Sequence, residues 1–318
     1  MRRAWIYALV LTLATLGCLQ AFAADPKTFP AKQLTYLVCF DPGGQSDRGA
    51  RIYQAPLAKI LGQKVIIDYK VGGGGAMGWK ELARSKPDGY LFAGFNIPHI
   101  ILQPLQQDVG YQTEQIAPVM VFQRTPLALA VLKTSPIETL QDFIAHARQN
   151  PGALTVGGSG AFSGYHMAAL RLEKLTGIKL TYVPFTGSAP QMTAFLGGHV
   201  NAVFGASDDL TRFRDQVRIL GFAMDERFPG FPEAPTLKEL GVDMTEAVDR
   251  GVAVPPGTPA PIITKLEEAF LQVARMPEVR QEMIRQGFMP MAMGHEETKA
   301  YVAEMTTLYK ELAREVRP

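Results

Sequence analysis

Cysteine is nearly missing from this chain. Among 318 residues only Cys18 and Cys39 are cysteines, and Cys18 falls in an N-terminal stretch that reads as a removable leader. One remaining thiol excludes an intramolecular disulfide. Histidine is scarce as well. His99, His146, His166, His199 and His295 include no pair at the i, i+4 spacing of a helical metal site, so no metal is expected. Excess charge of either sign is also lacking. Thirty-two Lys and Arg against 30 Asp and Glu leave +2, which argues against a nucleic-acid binder working through bulk charge. Past the N-terminus no run reaches the roughly 20 apolar residues of a membrane span.

What is present begins with an export signal. Arg2-Arg3 make a positive start, Ala4 to Leu16 an apolar run, and Ala21-Phe22-Ala23 a small-x-small cleavage site. Residues 1–23 therefore read as a signal peptide cleaved near Ala23/Ala24, with the mature protein exported and soluble in the periplasm. Leu16-Gly17-Cys18 matches a lipoprotein cleavage site only in part, because Thr15 stands where an apolar residue belongs. The remaining chain is too long for one minimal core, so two domains are expected.

One stretch organises the mature chain. Leu34 to Phe40 reads as a buried strand, Asp41-Pro42-Gly43-Gly44 breaks it, and Ser46 or Asp47 caps a helix running to about Leu61. A strand, a glycine turn and a helix N-terminus aim free N–H groups at one point, and the helix dipole adds positive charge there. Such a corner suits a carboxylate or phosphate; a plain tight turn needing glycine for its backbone angles is the alternative. Val65 to Tyr69 closes a strand–helix–strand unit. Gly73-x-Gly75-x-x-Gly78 formally matches the dinucleotide fingerprint. It comes after the wrong strand, however, and its nearest acid, Asp88, sits in a Lys86-Pro87-Asp88-Gly89 turn. No nucleotide or other cofactor is expected. The stretch reads instead as a second backbone-amide loop before a short helix, Ala76 to Arg84. Asn96 ends the strand Tyr90 to Phe95, where open α/β sheets bind ligands.

The same logic recurs downstream. Thr125 to Leu132 is a strand leaving the first domain, and Ser135-Pro136-Ile137-Glu138 is a capping box for a helix reaching about Gln149. The strand Leu154 to Gly157 runs into a Gly/Ser turn and a helix, His166 to Thr176. Leu180 to Val183 precedes a third such helix opening at Pro184 to Pro190. Val200 to Phe204 precedes a fourth, capped by Gly205 to Asp208. Val217 to Met224 is a strand and Arg250 to Thr258 the return crossing. Tail helices cover Ala260 to Arg275, Pro277 to Gln286 and about Glu296 to Arg314. The expected division is residues 24–123 plus 249–318 for one domain and 124–248 for the other, with the glycine loops of both facing a common cleft.

Catalysis has little support. Ser159 and Ser163 lie near His166, but no G-x-S-x-G elbow surrounds either serine, so a serine hydrolase is the weaker alternative. Cys39 reads as a small buried hydrophobe.

Taken together, the motifs resemble the extracytoplasmic solute-binding proteins of tripartite tricarboxylate transporters, often called the Bug family. The resemblance is carried by Val38 to Asp47 with Ala50-Arg51, Leu61-Gly62-Gln63-Lys64-Val65, Gly73 to Gly78 and Lys86 to Tyr90. It continues through Asn150-Pro151-Gly152, Gly157 to Gly160 with His166, Val183 to Gly187 and Gly197 to Asn201. Ala234-Pro235-Thr236 with Glu239-Leu240-Gly241, and Pro255 to Pro259, complete it. It implies an α/β, two-domain, periplasmic-binding-protein-like (Venus flytrap) fold closing over a small carboxylate or dicarboxylate. It also implies delivery of that ligand to membrane permease subunits, and no enzymatic activity. A monomer is expected. A binding protein that reports its ligand to a two-component system is the alternative. Carried over by position, the first cradle is the stretch Asp41 to Asp47, chiefly Asp41, Gly43, Gly44, Ser46 and Asp47, with Gly75, Ala76 and Asn96. Ser159, Gly160, Ser163 and His166 form the other, with the stretch Phe185 to Ser188, chiefly Phe185, Thr186 and Gly187, and Ser207 and Asp208 closing the cleft. Cys39 and Asp41 stand where the family commonly has prolines or small apolar residues, and Asp41 is expected to point outward. Asp249-Arg250 stands near the usual Trp-Gly.

Overall fold

The computed structural model describes residues 28–315; the signal-peptide reading and Cys18 lie outside them. The first unit is β1 (Leu34–Val38), α1 (Gln45–Leu61) and β2 (Val65–Tyr69), with β2 parallel to β1 and Leu34 beside Val65. After α2 (Ala76–Arg84), strand β3 (Leu91–Ile97) joins the other side of β1 and leads into α3 (His99–Gln106). Then comes β4 (Ala117–Leu132), sixteen residues that are almost all buried. A strand covered on both faces needs a continuous apolar run, and Val119 to Phe122 and Leu127 to Val131 supply it.

Past β4 come α4 (Leu140–Gln149), β5 (Thr155–Ser159), α5 (Gly164–Thr176), β6 (Thr181–Phe185) and α6 (Ser188–Leu196). They are followed by β7 (Ala202–Ala206), α7 (Ser207–Arg212) and β8 (Val217–Phe222). The chain returns on β9 (Ala247–Val254) and ends with α8 (Ala260–Arg275), α9 (Pro277–Arg285), β10 (Met289–Met293) and α10 (His295–Glu315). Among the described residues ten strands form one sheet, ordered β2-β1-β3-β9-β4-β7-β5-β6, with β8 and β10 also pairing β4.

The long strand is what divides this sheet. From Ala117 to Pro126, β4 runs antiparallel to β9; from Leu127 onward it pairs with β7 instead. The first half of the sheet packs α1, α8 and α9 on one face, around Tyr53, Phe92, Phe122 and Phe270. Its other face carries Trp79, Phe95 and Ile100 with Tyr309 of α10. The second half has its own apolar layers, one around Phe143, Leu172 and Phe204 and one around Phe195, Val203 and Phe222.

Several local expectations are corrected. Helix α1 starts one residue before Ser46, with Gly44 at its N-cap and no side-chain cap. Asp47 reaches back to accept from the Gly43 N–H at 2.7 Å. The capping box of α4 is Thr139 with Asp142, not Ser135 with Glu138, because the chain makes a separate turn at Ser135 before entering the helix. Helix α5 starts at Gly164, capped by Ser163, whose Oγ accepts from the His166 N–H at 3.2 Å. Helix α3 and strand β10 went unrecognised. Pro104 inside α3 and the Met-rich, weakly alternating Met289–Met293 hid both signals.

Candidate functional site

The two halves of the sheet meet at loops that follow β1, β3, β5, β6 and β7. A cavity of about 10 Å³ lies between them, room for about one water. Phe40, Gly44, Gln45, Ser46, Asn96 and Arg250 line it from the first half, and Ser159, Tyr165 and Ser188 from the second. Polar groups dominate the lining, yet Gln45, Ser159, Ser188, Asn96 and Arg250 are all buried.

Gln45 occupies the centre. Its backbone N–H, free at the start of α1, donates to Ser188 Oγ at 3.1 Å. Its side-chain oxygen accepts from the Tyr165 hydroxyl at 2.7 Å and from the Arg250 guanidinium. Its side-chain nitrogen donates to Asp209 at 2.8 Å. Arg250 also donates to Thr125 Oγ1, while its Nε has no partner. Among the described residues no carboxylate comes within ion-pairing distance of this buried guanidinium.

An ion-pair cluster crosses beside the cavity. Arg48 of α1 pairs with Asp208 and, at 2.8 Å, with Asp209 of α7; both carboxylates are essentially inaccessible. Burial raises Asp208 to about 7, neighbouring Asp209 adds to the rise, and Arg48 opposes it. Burial also holds His99 neutral, lowering it to about 3 with help from Arg250. Tyr165 is raised by burial and stays a hydroxyl donor.

The expected site residues separate into groups. Gly44, Ser46, Asn96 and Ser159 line the cavity, with Ser46 and Asn96 bonded to each other at 3.4 Å. Asp208 and Gly187 sit at the same junction without lining it. A Cβ on Gly187 would lie 2.9 Å from Asp41 Oδ2. The Asp41 carboxylate thus faces the second half, not outward, and that oxygen is buried without a partner. Gly43 and Asp47 bond to each other, and Asp47 turns away to Arg51 at 2.9 Å and Tyr69 at 2.7 Å. Gly75, with φ +98°, packs on Trp79 just before Ala76. Gly160, with φ +85°, faces the Gly74 backbone. Ser163 donates to the Gly160 carbonyl at 2.8 Å. His166 stacks on Tyr182 with ring centroids 4.2 Å apart, and burial lowers it to about 4. Phe185 accepts at its carbonyl from the Gly160 N–H, with Thr186 next to it in the turn before α6, and Ser207 donates to the Gly287 carbonyl.

Three lining side chains were missed, Phe40, Tyr165 and Arg250, whereas Gln45 and Ser188 fall inside the expected stretches Asp41 to Asp47 and Phe185 to Ser188. The Arg250 signal was available. Asp249 and Arg250 are two charges inside the otherwise apolar β9, and a buried strand tolerates charge only with partners. Asp249 has such partners, Arg124 at 3.0 Å and the Tyr301 hydroxyl. Two larger hollows lie elsewhere. One of about 440 Å³ is lined by Asp225, Glu226, Glu246, Asp249 and Arg124, with Asp249 paired to Arg124, Glu246 to Arg171 and Asp225 to Lys238. One of about 780 Å³ is lined from the first half only. Among the described residues no three His, Cys, Asp or Glu side chains gather as metal ligands, and no helix is long and apolar enough to cross a membrane.

Comparison with known proteins adds the following. The model of the "Tripartite tricarboxylate transporter family receptor" family matches residues 50–317. A Cupriavidus necator protein, "UPF0065 protein in gbd 5'region", is 31% identical over 293 residues, covering 91% of this chain and 88% of that protein. Among solved structures, R. palustris Rpa4515 with adipate aligns with a TM-score of 0.84 at 27% identity, covering 90% of this chain and 97% of that one. MatC from Rhodopseudomonas palustris with bound malate aligns with a TM-score of 0.83 at 26% identity, covering 89% and 99%.

Proposed function

The chain belongs to the tripartite tricarboxylate transporter receptor family, whose members are periplasmic solute-binding proteins on a two-domain, Venus-flytrap α/β fold, and we propose that it captures a small organic acid between its two sheet halves. The observation that carries this reading is the interlobe cavity, where buried hydroxyls, amides and one unpaired guanidinium converge from both halves. Buried polar groups need hydrogen-bond partners, and a cation needs an anion. A carboxylate satisfies both needs at once. Malate in MatC and adipate in Rpa4515 are acids held by proteins of the same fold.

In this reading the protein is exported after cleavage near Ala23/Ala24. Residues 24–123 with 249–318 form one lobe and 124–248 the other, hinged where β4 and β9 cross. The ligand bridges both walls and so favours the closed form over the open one, which is the differential affinity that drives a population shift. The closed monomer then delivers its cargo to membrane permease subunits. The binding wall comprises Gly44, Ser46, Asn96 and Ser159, joined by Gln45, Tyr165, Ser188 and Arg250.

A thermal-shift screen of small monocarboxylates, dicarboxylates, aromatic acids and amino acids tests the reading. A binder raises the melting temperature with a concentration dependence following RT ln(1 + [L]/Kd). No stabilisation by any acid at millimolar concentration would overturn it.

A further inference from the structure

The chain already places a surrogate ligand in its own cavity. The carboxamide of Gln45 presents an oxygen to Tyr165 Oη, 2.7 Å away, and to Arg250; it presents its nitrogen to Asp209 Oδ2, 2.8 Å away. One end of the site therefore selects an acceptor and the other a donor. Arg250 is 3% exposed, lacks an ion-pair partner and has an unbonded Nε. A buried guanidinium hydrogen-bonded only to neutral oxygens, with Asp208 and Asp249 acting on it through space and not by contact, is incompletely compensated, and an incoming carboxylate offers it a bidentate, charged partner.

Charge balance narrows the ligand. Beside the cavity Arg48 pairs with Asp208 and Asp209, and Arg250 acts on Asp208 through space. Asp41 adds another carboxylate facing the junction, with one buried oxygen unsatisfied. A dianion would bring two more negative charges to a site whose two cations already face three carboxylates. A molecule with one carboxylate and one ammonium brings none.

We propose that the ligand is a small zwitterion of the α-amino-acid type, its carboxylate bound by Arg250 and Tyr165 and its ammonium facing Asp209, in the place the Gln45 carboxamide now takes. The proposal rests on the small-acid reading above and narrows it. Gln45 makes room by rotating its side chain while its backbone stays at the start of α1. Because Gln45 competes for the same three partners, removing its side chain strengthens binding.

The test is calorimetry on the full mature chain with three sets of equal chain length: alanine, propionate and malonate; 2-aminobutyrate, butyrate and succinate; norvaline, pentanoate and glutarate. The amino acid of at least one set should bind at least tenfold more tightly than its dicarboxylate. Arg250→Gln should weaken that amino acid at least tenfold, Arg250→Lys less, and Asp209→Asn should abolish the preference for the amino acid over the plain acid. Gln45→Ala, a change at a helix start that leaves the core intact, should tighten binding severalfold; a merely structural Gln45 would give unchanged or weaker binding. Preferred binding of a dicarboxylate, or affinity indifferent to Arg250→Gln in a protein with native circular dichroism, overturns this proposal and leaves the small-acid reading standing. Failure of all nine probes, together with a negative wider acid screen, overturns both.

Discussion

Arg48 provides the sharpest quantitative test of how the two halves hold together. Its guanidinium bridges Asp208 and Asp209 across the junction, and its side chain is 18% exposed against 0% and 4% for theirs. Arg48→Met removes the guanidinium that lies over the Phe288 ring and leaves two adjacent carboxylates in the closed interface without their cation. One of them must then protonate for the halves to close. For a carboxyl of ordinary pKa 3.8 at pH 7 that costs about 4 kcal/mol, at 1.36 kcal/mol per pH unit. Asp208 is already raised to about 7 in the intact protein, so at pH 7 nearly all of this cost is borne there. What the variant adds is the loss of the cation from Asp209, and removing one partner of a buried pair costs about 2–4 kcal/mol at a partly exposed guanidinium, an equilibrium shift of about 30- to 1,000-fold. When the halves separate, water solvates the carboxylates, so the penalty falls on the closed state alone. Small-angle scattering should show a larger ligand-free radius of gyration, and calorimetry a Kd weakened by the same factor. The sign of the pH effect follows from the direction of the shift. A carboxyl whose pKa is higher in the closed state favours closure when protonated, so affinity of the variant should recover as pH falls from 8 to 6. Adding Asp208→Asn should restore at least tenfold. A variant whose radius, affinity and pH profile all stay within twofold of the parent would refute the reasoning.

Gly187→Val should block closure without unfolding the chain. Its backbone is extended, at φ −168°, so a side chain brings no strain there, but a Cβ would sit 2.9 Å from Asp41 Oδ2 and 3.3 Å from the Asp41 nitrogen. Ligand affinity should fall at least tenfold, while denaturant unfolding of the free protein loses only the roughly 1 kcal/mol of a poorer helix cap. Asp47→Asn addresses stability. Burial raises the Asp47 carboxyl, but the Gly43 N–H, the Tyr69 hydroxyl and Arg51 outweigh it and hold the pKa below 3.8. A depressed folded value stabilises the native state above pH 3.8, and that contribution is lost as pH falls through the folded value. The variant should lose about 1–2 kcal/mol at pH 7, with little from exposed Arg51, and match the parent near pH 2 in urea titrations.

Much of this molecule was legible in its order of residues. Periodicity and glycine turns located nearly every strand–helix junction, because a buried parallel strand must be apolar and a tight turn must bend where glycine permits it. The motif order pointed to the family, and Gly44, Ser46, Asn96 and Ser159 were legible as lining because they lie at or just beyond the carboxyl ends of strands. Asp47, Ser163 and His166 do not line the cavity. Each finds a partner within its own loop or helix, a local satisfaction that composition cannot distinguish from a ligand contact.

What only the tertiary structure decided is the pairing of residues far apart in the chain. Gln45 meets Arg250 across 205 positions, and Arg48 meets Asp208 across 160. Sequence alone determines that these side chains are polar and where along an element they fall. Whether a buried guanidinium finds a carboxylate or only an amide depends on how β4 and β9 bring the two halves into register, and that is a property of the packed chain as a whole.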